Sequence, residues 1–183
     1  MASLRFATLG DLYEAFPTAA DDIGEAPADA QPLAFLQALA AAGSWDKAVS
    51  LCAYLLPRRE AVWWGCQSLR RMIPLAPEEE DGLAWAEAWV REPEEGRRRA
   101  ALRYGGEADS RLPSSWMALA AGWSGGSIVP PEVGVVPAAP HQTARAVRAG
   151  LMIAMVRIAS ENLPAVMTPC LAEGAALAGG ERR

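Results

Sequence analysis

Residues 32 to 57 read "PLAFLQALAAAGSWDKAVSLCAYLLP", and the placement of the chain breakers in this stretch constrains the fold more than any other feature. Pro32 stands where a helix begins, a position at which its missing amide is no loss and its fixed φ is already helical. Gly43 stands just past the end of the apolar run, where a left-handed cap is needed and glycine supplies it at no steric cost. Ser44 then serves as N-cap for "WDKAVSLCAYLL", and Pro57 opens a third helix as Pro32 opened the first. Helices joined by so short a link turn back on each other as αα-hairpins. The alternating pattern and paired turn residues that announce strands are nearly absent. The fold class is therefore all-α, a multi-helix bundle with αα-hairpin or solenoid-like packing.

The remainder of the chain repeats the same signals. In "PLAPEEEDGLAWAEAWVRE", Glu78, Glu79, Glu80 and Asp81 crowd a helix start and Arg91 lies near its finish, matching the helix dipole at both ends. Pro93 opens another helix, in which Glu94 meets Arg98 and Glu95 meets Arg99 at i,i+4, a spacing that stabilises a solvated face by about 0.2–0.5 kcal/mol per pair. The run Arg97 to Arg99 reads as surface on that basis. A further helix is expected from about Ser114 to Trp123 and a long one from about Gln142 to Ser160. The last segment should be helical but broken or kinked by Pro164 and Pro169. These elements make one domain over residues 1–183, with an N-terminal helix and linker at 1–31, helical hairpins at 32–123, a Pro/Gly-rich loop at 124–140 and C-terminal helices at 141–178. Hairpins in series resemble solenoids of the tetratricopeptide class, but no second copy recurs at a fixed period.

Composition narrows the function classes. With 51% hydrophobic and 21% charged residues over 183 positions, the chain has the means to bury a core and lacks the signature of disorder. A net charge of −5 opposes the phosphate-neutralising surface that nucleic-acid binding needs. Leu112 to Pro131 is free of charge, yet Pro113, the "SGGS" at 124–127 and Pro130-Pro131 would interrupt the hydrogen-bond ladder that a bilayer demands, so no membrane insertion is expected. Three cysteines, Cys52, Cys66 and Cys170, sit in apolar helical stretches without C-x-x-C spacing, as reduced cysteines packed like small hydrophobes do. The opening "MASLRFATLGDLYEAF" has no basic region followed by an apolar core, and a cytoplasmic location is the expectation.

Catalytic motifs are thin. One histidine, scattered cysteines and no H-E-x-x-H or EF-hand pattern leave no spaced metal ligands, and neither G-x-G-x-x-G nor a P-loop appears, so no cofactor is expected. Residues 122–126, "GWSGG", match G-x-S-x-G with Ser124 as nominal nucleophile. That elbow requires a strand before it and a helix after it, whereas here a helical segment precedes and a Pro-rich loop follows. His141 is the sole histidine and Glu132 the sole acid between them; an enzyme of unrecognised type near Ser124 and His141 is the alternative reading. The loop itself is unusually apolar. Ile128, Val129, Val133, Val135 and Val136 are expected to be buried as a structural clasp, with a moulded binding surface as the competing view.

Trp63 and Trp64 pose the sharpest question. Neighbours on a helix point about 100° apart, so the two indoles cannot share a face. Val62, Cys66, Leu69 and Ile73 define one core stripe; Trp63 lies beside Arg59 and Arg70, and Trp64 on the far side, beside Arg71. In the next helix Leu83, Ala86 and Val90 form a stripe while Trp85 and Trp89 make a second ridge. A helix with two apolar sides is commonly sandwiched in a layered bundle. The competing reading is an exposed Trp/Arg ridge of the kind that concentrates binding energy, with Trp63, Trp64, Arg70 and Arg71 as protein-binding candidates and Trp64 foremost.

The segments "LPRREAVWWGCQSLR", "AWVREP" and "AGWSGGSIVPP" together resemble an uncharacterised bacterial family, a domain of unknown function associated with type VI secretion gene clusters. The resemblance spans about Pro32 to Ser160 and carries no catalytic residues. It implies a bacterial, cytoplasmic accessory or adaptor protein whose partner is another protein. A homo-oligomeric scaffold is a further possibility and would show a symmetric apolar patch.

Overall fold

The structure, a computed structural model, describes residues 4–180. Among the described residues ten α-helices follow one another: α1 Leu9–Ala15, α2 Ala19–Ile23, α3 Pro32–Ala41, α4 Trp45–Leu55, α5 Arg58–Met72, α6 Pro77–Arg91, α7 Glu95–Glu107, α8 Pro113–Gly122, α9 Gln142–Met155 and α10 Leu163–Ala178, the last preceded by a 3₁₀ turn at Ser160–Asn162. Among the described residues the sole β-type pairing is one isolated antiparallel bridge, Ser127 with Pro137.

The punctuation acts as expected, with local differences. Gly43 adopts φ +69°, and the amides of Gly43 and Ser44 donate to the carbonyls of Ala40 and Leu39, the paired bonds of a Schellman cap. Ser44 does stand at the N-cap of α4, but its side chain makes no capping bond there. The N-terminal segment holds two short helices where one was expected, and α1 is closed by a reciprocal box in which Thr8 Oγ1 accepts from the Asp11 amide and Asp11 from the Thr8 amide. Helix α9 stops at Met155, five residues early. There the amides of Arg157 and Ile158 turn back to Ala154 and Met155 in tighter i,i+3 bonds, and Arg157 reaches across to Glu79 at 2.6 Å. Helix α10 runs unbroken through Pro169, which lies on the exposed side, so the lost amide leaves no buried gap.

Helix α8 occupies the centre. Ser114, Ser115, Met117, Ala118, Ala120, Ala121 and Gly122 are all buried, and α5, α6, α7 and α9 pack around them. Each neighbour crosses α8 at a glycine. A Cβ added at Gly65 of α5 would lie 2.6 Å from Met117 Sδ, at Gly82 of α6 2.8 Å from Ser114 Cβ, at Gly105 of α7 2.8 Å from the Leu119 amide nitrogen, and at Gly150 of α9 2.7 Å from the Pro113 carbonyl oxygen. Real side chains do not approach so closely, so α6, α7 and α9 pack on the backbone of α8, while α5 packs on its Met117 side chain. The uncharged stretch after Leu112 is thus a buried helix and then a loop. No helix among the described residues is long and apolar enough to cross a membrane.

The tryptophan question is settled by layering. Val62, Cys66, Leu69 and Ile73 are buried as one stripe of α5, and Trp64 is fully buried on another side, where α10 and α4 meet it. Its Nε1 donates to the Cys170 carbonyl at 2.8 Å, and Cys52 and Gly174 pack close by. Helix α5 is two-sided because it lies between layers. All three cysteines are free and buried, and burial pushes the Cys52 and Cys66 thiols well up.

Candidate functional site

Of the four ridge residues named from sequence, the structure brings none together as an open apolar surface. Trp64 lies inside, which matches the core reading and removes its ring from contact with a partner. Trp63 is half-buried. Arg70 is held by two carboxylates, with Nη1 2.7 Å from Glu80 Oε2 and Nε 3.0 Å from Glu87 Oε1. Arg71 pairs with Glu173 of α10 at 3.0 Å. The exposed aromatic is instead Trp85 at 41%, tilted against Tyr104 with ring centroids 6.2 Å apart. Its partner on that second ridge, Trp89, is buried.

The elbow motif does not assemble. A helix, α8, precedes Ser124; the Ser124 amide donates to the Ala121 carbonyl, and its carbonyl accepts from Arg58 Nη1 at 2.7 Å. His141 occupies the N-cap of α9 without a side-chain cap bond, and Glu132 is exposed at the loop tip. Among the described residues no hydrogen bond joins the Ser124 hydroxyl, the His141 ring and Glu132, and no group of three or more His, Cys, Asp or Glu converges as metal ligands would.

The loop between α8 and α9 is the most distinctive surface feature, and it departs from the expected clasp. Ile128 and Val129 are half-buried, but Val133, Val135 and Val136 are 71%, 84% and 45% exposed. Anchoring comes from polar bonds at the base. Arg98, expected on the surface, is 4% exposed: it donates through Nη1 to the Gly122 carbonyl and through Nη2 to the Ser127 carbonyl at 2.9 Å, and it closes on Glu95 with Nε and Nη2 both at 2.7 Å. Arg99 Nη1 reaches the Val129 carbonyl at 3.3 Å. Together with Arg58 on Ser124, three guanidiniums hold the loop by its backbone, a task suited to a planar fork of donors.

Inside the loop, Ser127 is the buried organiser. Its Oγ accepts from the amides of Val129 and Val136 at 3.3 and 3.2 Å and donates to the Val129 carbonyl at 3.1 Å. The Ile128 amide donates to the Val136 carbonyl at 2.8 Å and the Ala138 amide to Gly126 at 3.1 Å, while Val133 closes a turn onto Pro130 at 3.0 Å. Gly126 takes φ +60° beside the Arg98 guanidinium, where a Cβ would stand 2.9 Å from Nη2. Apolar side chains therefore project from a braced backbone, since the bracing bonds engage carbonyls at the base and leave the tip to solvent.

A second polar network lies where α2, α4 and α9 meet. Tyr54, 1% exposed, donates to Asp22 Oδ2 at 2.7 Å, and the same oxygen accepts from Arg145 Nε at 2.8 Å. Burial first, and then the bond to Asp22, push the Tyr54 phenol up to about 12. Because the fold favours the neutral phenol, this contribution to stability is complete below the unfolded value near 10 and is lost as pH rises towards 12. Equilibrium unfolding should show stability falling across that window, and Tyr54→Phe should flatten the fall; an unchanged slope would show that Tyr54 is not the group responsible.

A layered all-α domain that presents a braced, apolar, Pro-rich loop defines the class of this protein. The chain belongs to the family of unknown function DUF6931, whose family model matches residues 35–178, a span that includes Trp64, Arg98 and the whole loop. No curated protein and no solved structure matches it.

Proposed function

We propose that this protein is a non-catalytic adaptor that binds another protein through the tip of the 124–140 loop. The observation that carries the proposal is the exposure of Val133, Val135 and Val136 on a backbone fixed by Arg58, Arg98 and Arg99. Exposed apolar residues on a rigid support favour association, because little conformational entropy remains to be lost on binding. The resemblance noted from the sequence adds a bacterial, cytoplasmic setting and a link to type VI secretion, so a partner encoded in such a cluster is the expected one.

Charge at the tip separates binding from folding. Val133→Asp and Val135→Asp should leave the melting temperature within about 2 °C of the parent, as surface changes do, while abolishing co-purification of a partner from the source cell, read by mass spectrometry. Retention of every specific partner by the double variant would overturn the loop as the binding surface. Sedimentation of the purified chain completes the test: a concentration-dependent dimer lost in the same variant would replace the adaptor reading by self-association.

A further inference from the structure

A small cavity opens at the foot of the loop, where the N-terminal segment, the α4–α5 turn and the start of α9 meet. Its volume is about 10 Å³, and Arg5, Phe16, Tyr54, Arg58 and Thr143 are among its walls. That is room for one water-sized atom. Arg5 is set in place by its neighbours: Nη1 donates to the Leu56 carbonyl at 3.1 Å, and the guanidinium carbon lies 4.9 Å from the Phe6 ring centre and 5.2 Å from that of Phe16. Arg58 is tied to Ser124 by Nη1. Each guanidinium carries five N–H donors, so most remain available.

Two arginines thus line one cavity, and among the described residues neither forms an ion pair with a carboxylate. Eight other arginines have acidic partners. Arg59, Arg91, Arg103 and Arg148 form no ion pair among the described residues either, but Arg5 and Arg58 share one cavity, and no carboxylate is among its walls. Asp22, which touches Tyr54, is occupied by Arg145. In a chain with 22 acidic against 17 basic residues, leaving two like charges together is an electrostatic cost that an anion would remove. Burial, and after it the charge of Arg58, lower the Arg5 guanidinium from its ordinary value. Arg58 is also the first residue of α5, where the helix dipole adds positive potential.

We propose that the Arg5/Arg58 cavity binds one carboxylate group, with one oxygen seated inside and the remainder of the ligand lying across the surface. The volume admits a single oxygen atom and not an enclosed metabolite, so the ligand is the acid end of a longer molecule or a small free acid. A planar carboxylate matches the planar fork of arginine donors, and because Arg5 is exposed and Arg58 half-buried the ligand can reach both from the surface. The site stands apart from the exposed valines, and its test does not depend on them.

The experiment follows the side-chain Nε–H resonances of Arg5 and Arg58 in the ¹⁵N-labelled full chain, titrated with sodium acetate and separately with inorganic phosphate at fixed ionic strength. Acetate should produce saturable shifts of both signals, and Arg5→Gln should weaken that binding about tenfold or more, the usual loss for a charge-assisted bond. Arg103→Gln, an exposed change on α7, should leave it unaltered. Shifts that grow linearly without saturation, or that appear equally at Arg103, would overturn the site. Phosphate binding about tenfold more tightly than acetate would overturn the carboxylate assignment.

Discussion

Trp64→Ala should lower stability by about 3–5 kcal/mol, the range for deleting a fully buried large aromatic. For a chain of this size that corresponds to a melting temperature about 6–20 °C lower. The indole fills the junction of α5, α4 and α10 and satisfies its own N–H on the Cys170 carbonyl, so truncation leaves both a void and a lost bond. The surroundings are poorly placed to collapse into that void. Gly174 already packs so closely that a Cβ there would collide with Cys52 Sγ and stand 2.9 Å from Trp64 Nε1, and helix backbones do not move inward readily. Trp64→Phe should recover part of the loss by restoring volume without the donor. Thermal and urea unfolding give the numbers; a loss below about 1 kcal/mol, typical of surface sites, would contradict the burial of Trp64.

Arg98→Met should be nearly as damaging, by a different route. The substitution keeps an unbranched stem but removes the donors held by the Gly122 and Ser127 carbonyls, and leaving two buried acceptors unpaired costs about 2–6 kcal/mol at 1–3 kcal/mol each. Arg98→Lys should not rescue it, because a single ammonium cannot span Glu95, the end of α8 and the loop at once. Hydrogen exchange distinguishes this from a general weakening. The amides of Ile128 and Ala138, which close the loop onto itself, should lose protection before those of α5. Uniform loss of protection across the molecule would mean that Arg98 supports the core as a whole.

The helices were legible because their boundaries are written in local chemistry: Pro32, Gly43, Pro57 and the acidic start of α6 each act through backbone groups within a turn. The layering was legible from Trp63 and Trp64, which cannot share a face. The polar anchors were not. Arg98 was assigned to the surface because Arg97 and Arg99 flank it and acids lie nearby, yet it stands on the same stripe as Ala101 and Gly105, the other buried residues of α7. An arginine heading a stripe of small residues was the available signal. Glu79 is similar: it looked like one of four dipole-matching acids, but it shares the stripe of Leu83, Ala86 and Val90 and is buried against Arg157 while accepting from the Ala76 amide. Arg5 and Arg58 lie far apart in sequence and no periodicity connects them; only the turn after α4 and the docking of the N-terminal segment bring them to one cavity.

The glycine crossings around α8 bear on how the loop can move. A rod met at backbone distance by three helices, and by a fourth across Met117, has little room to slide or roll. The root of the loop is held as well: Arg58 takes the Ser124 carbonyl and Arg98 those of Gly122 and Ser127, on either side of Gly125. The arm is in effect bolted at its root to a tightly clasped post.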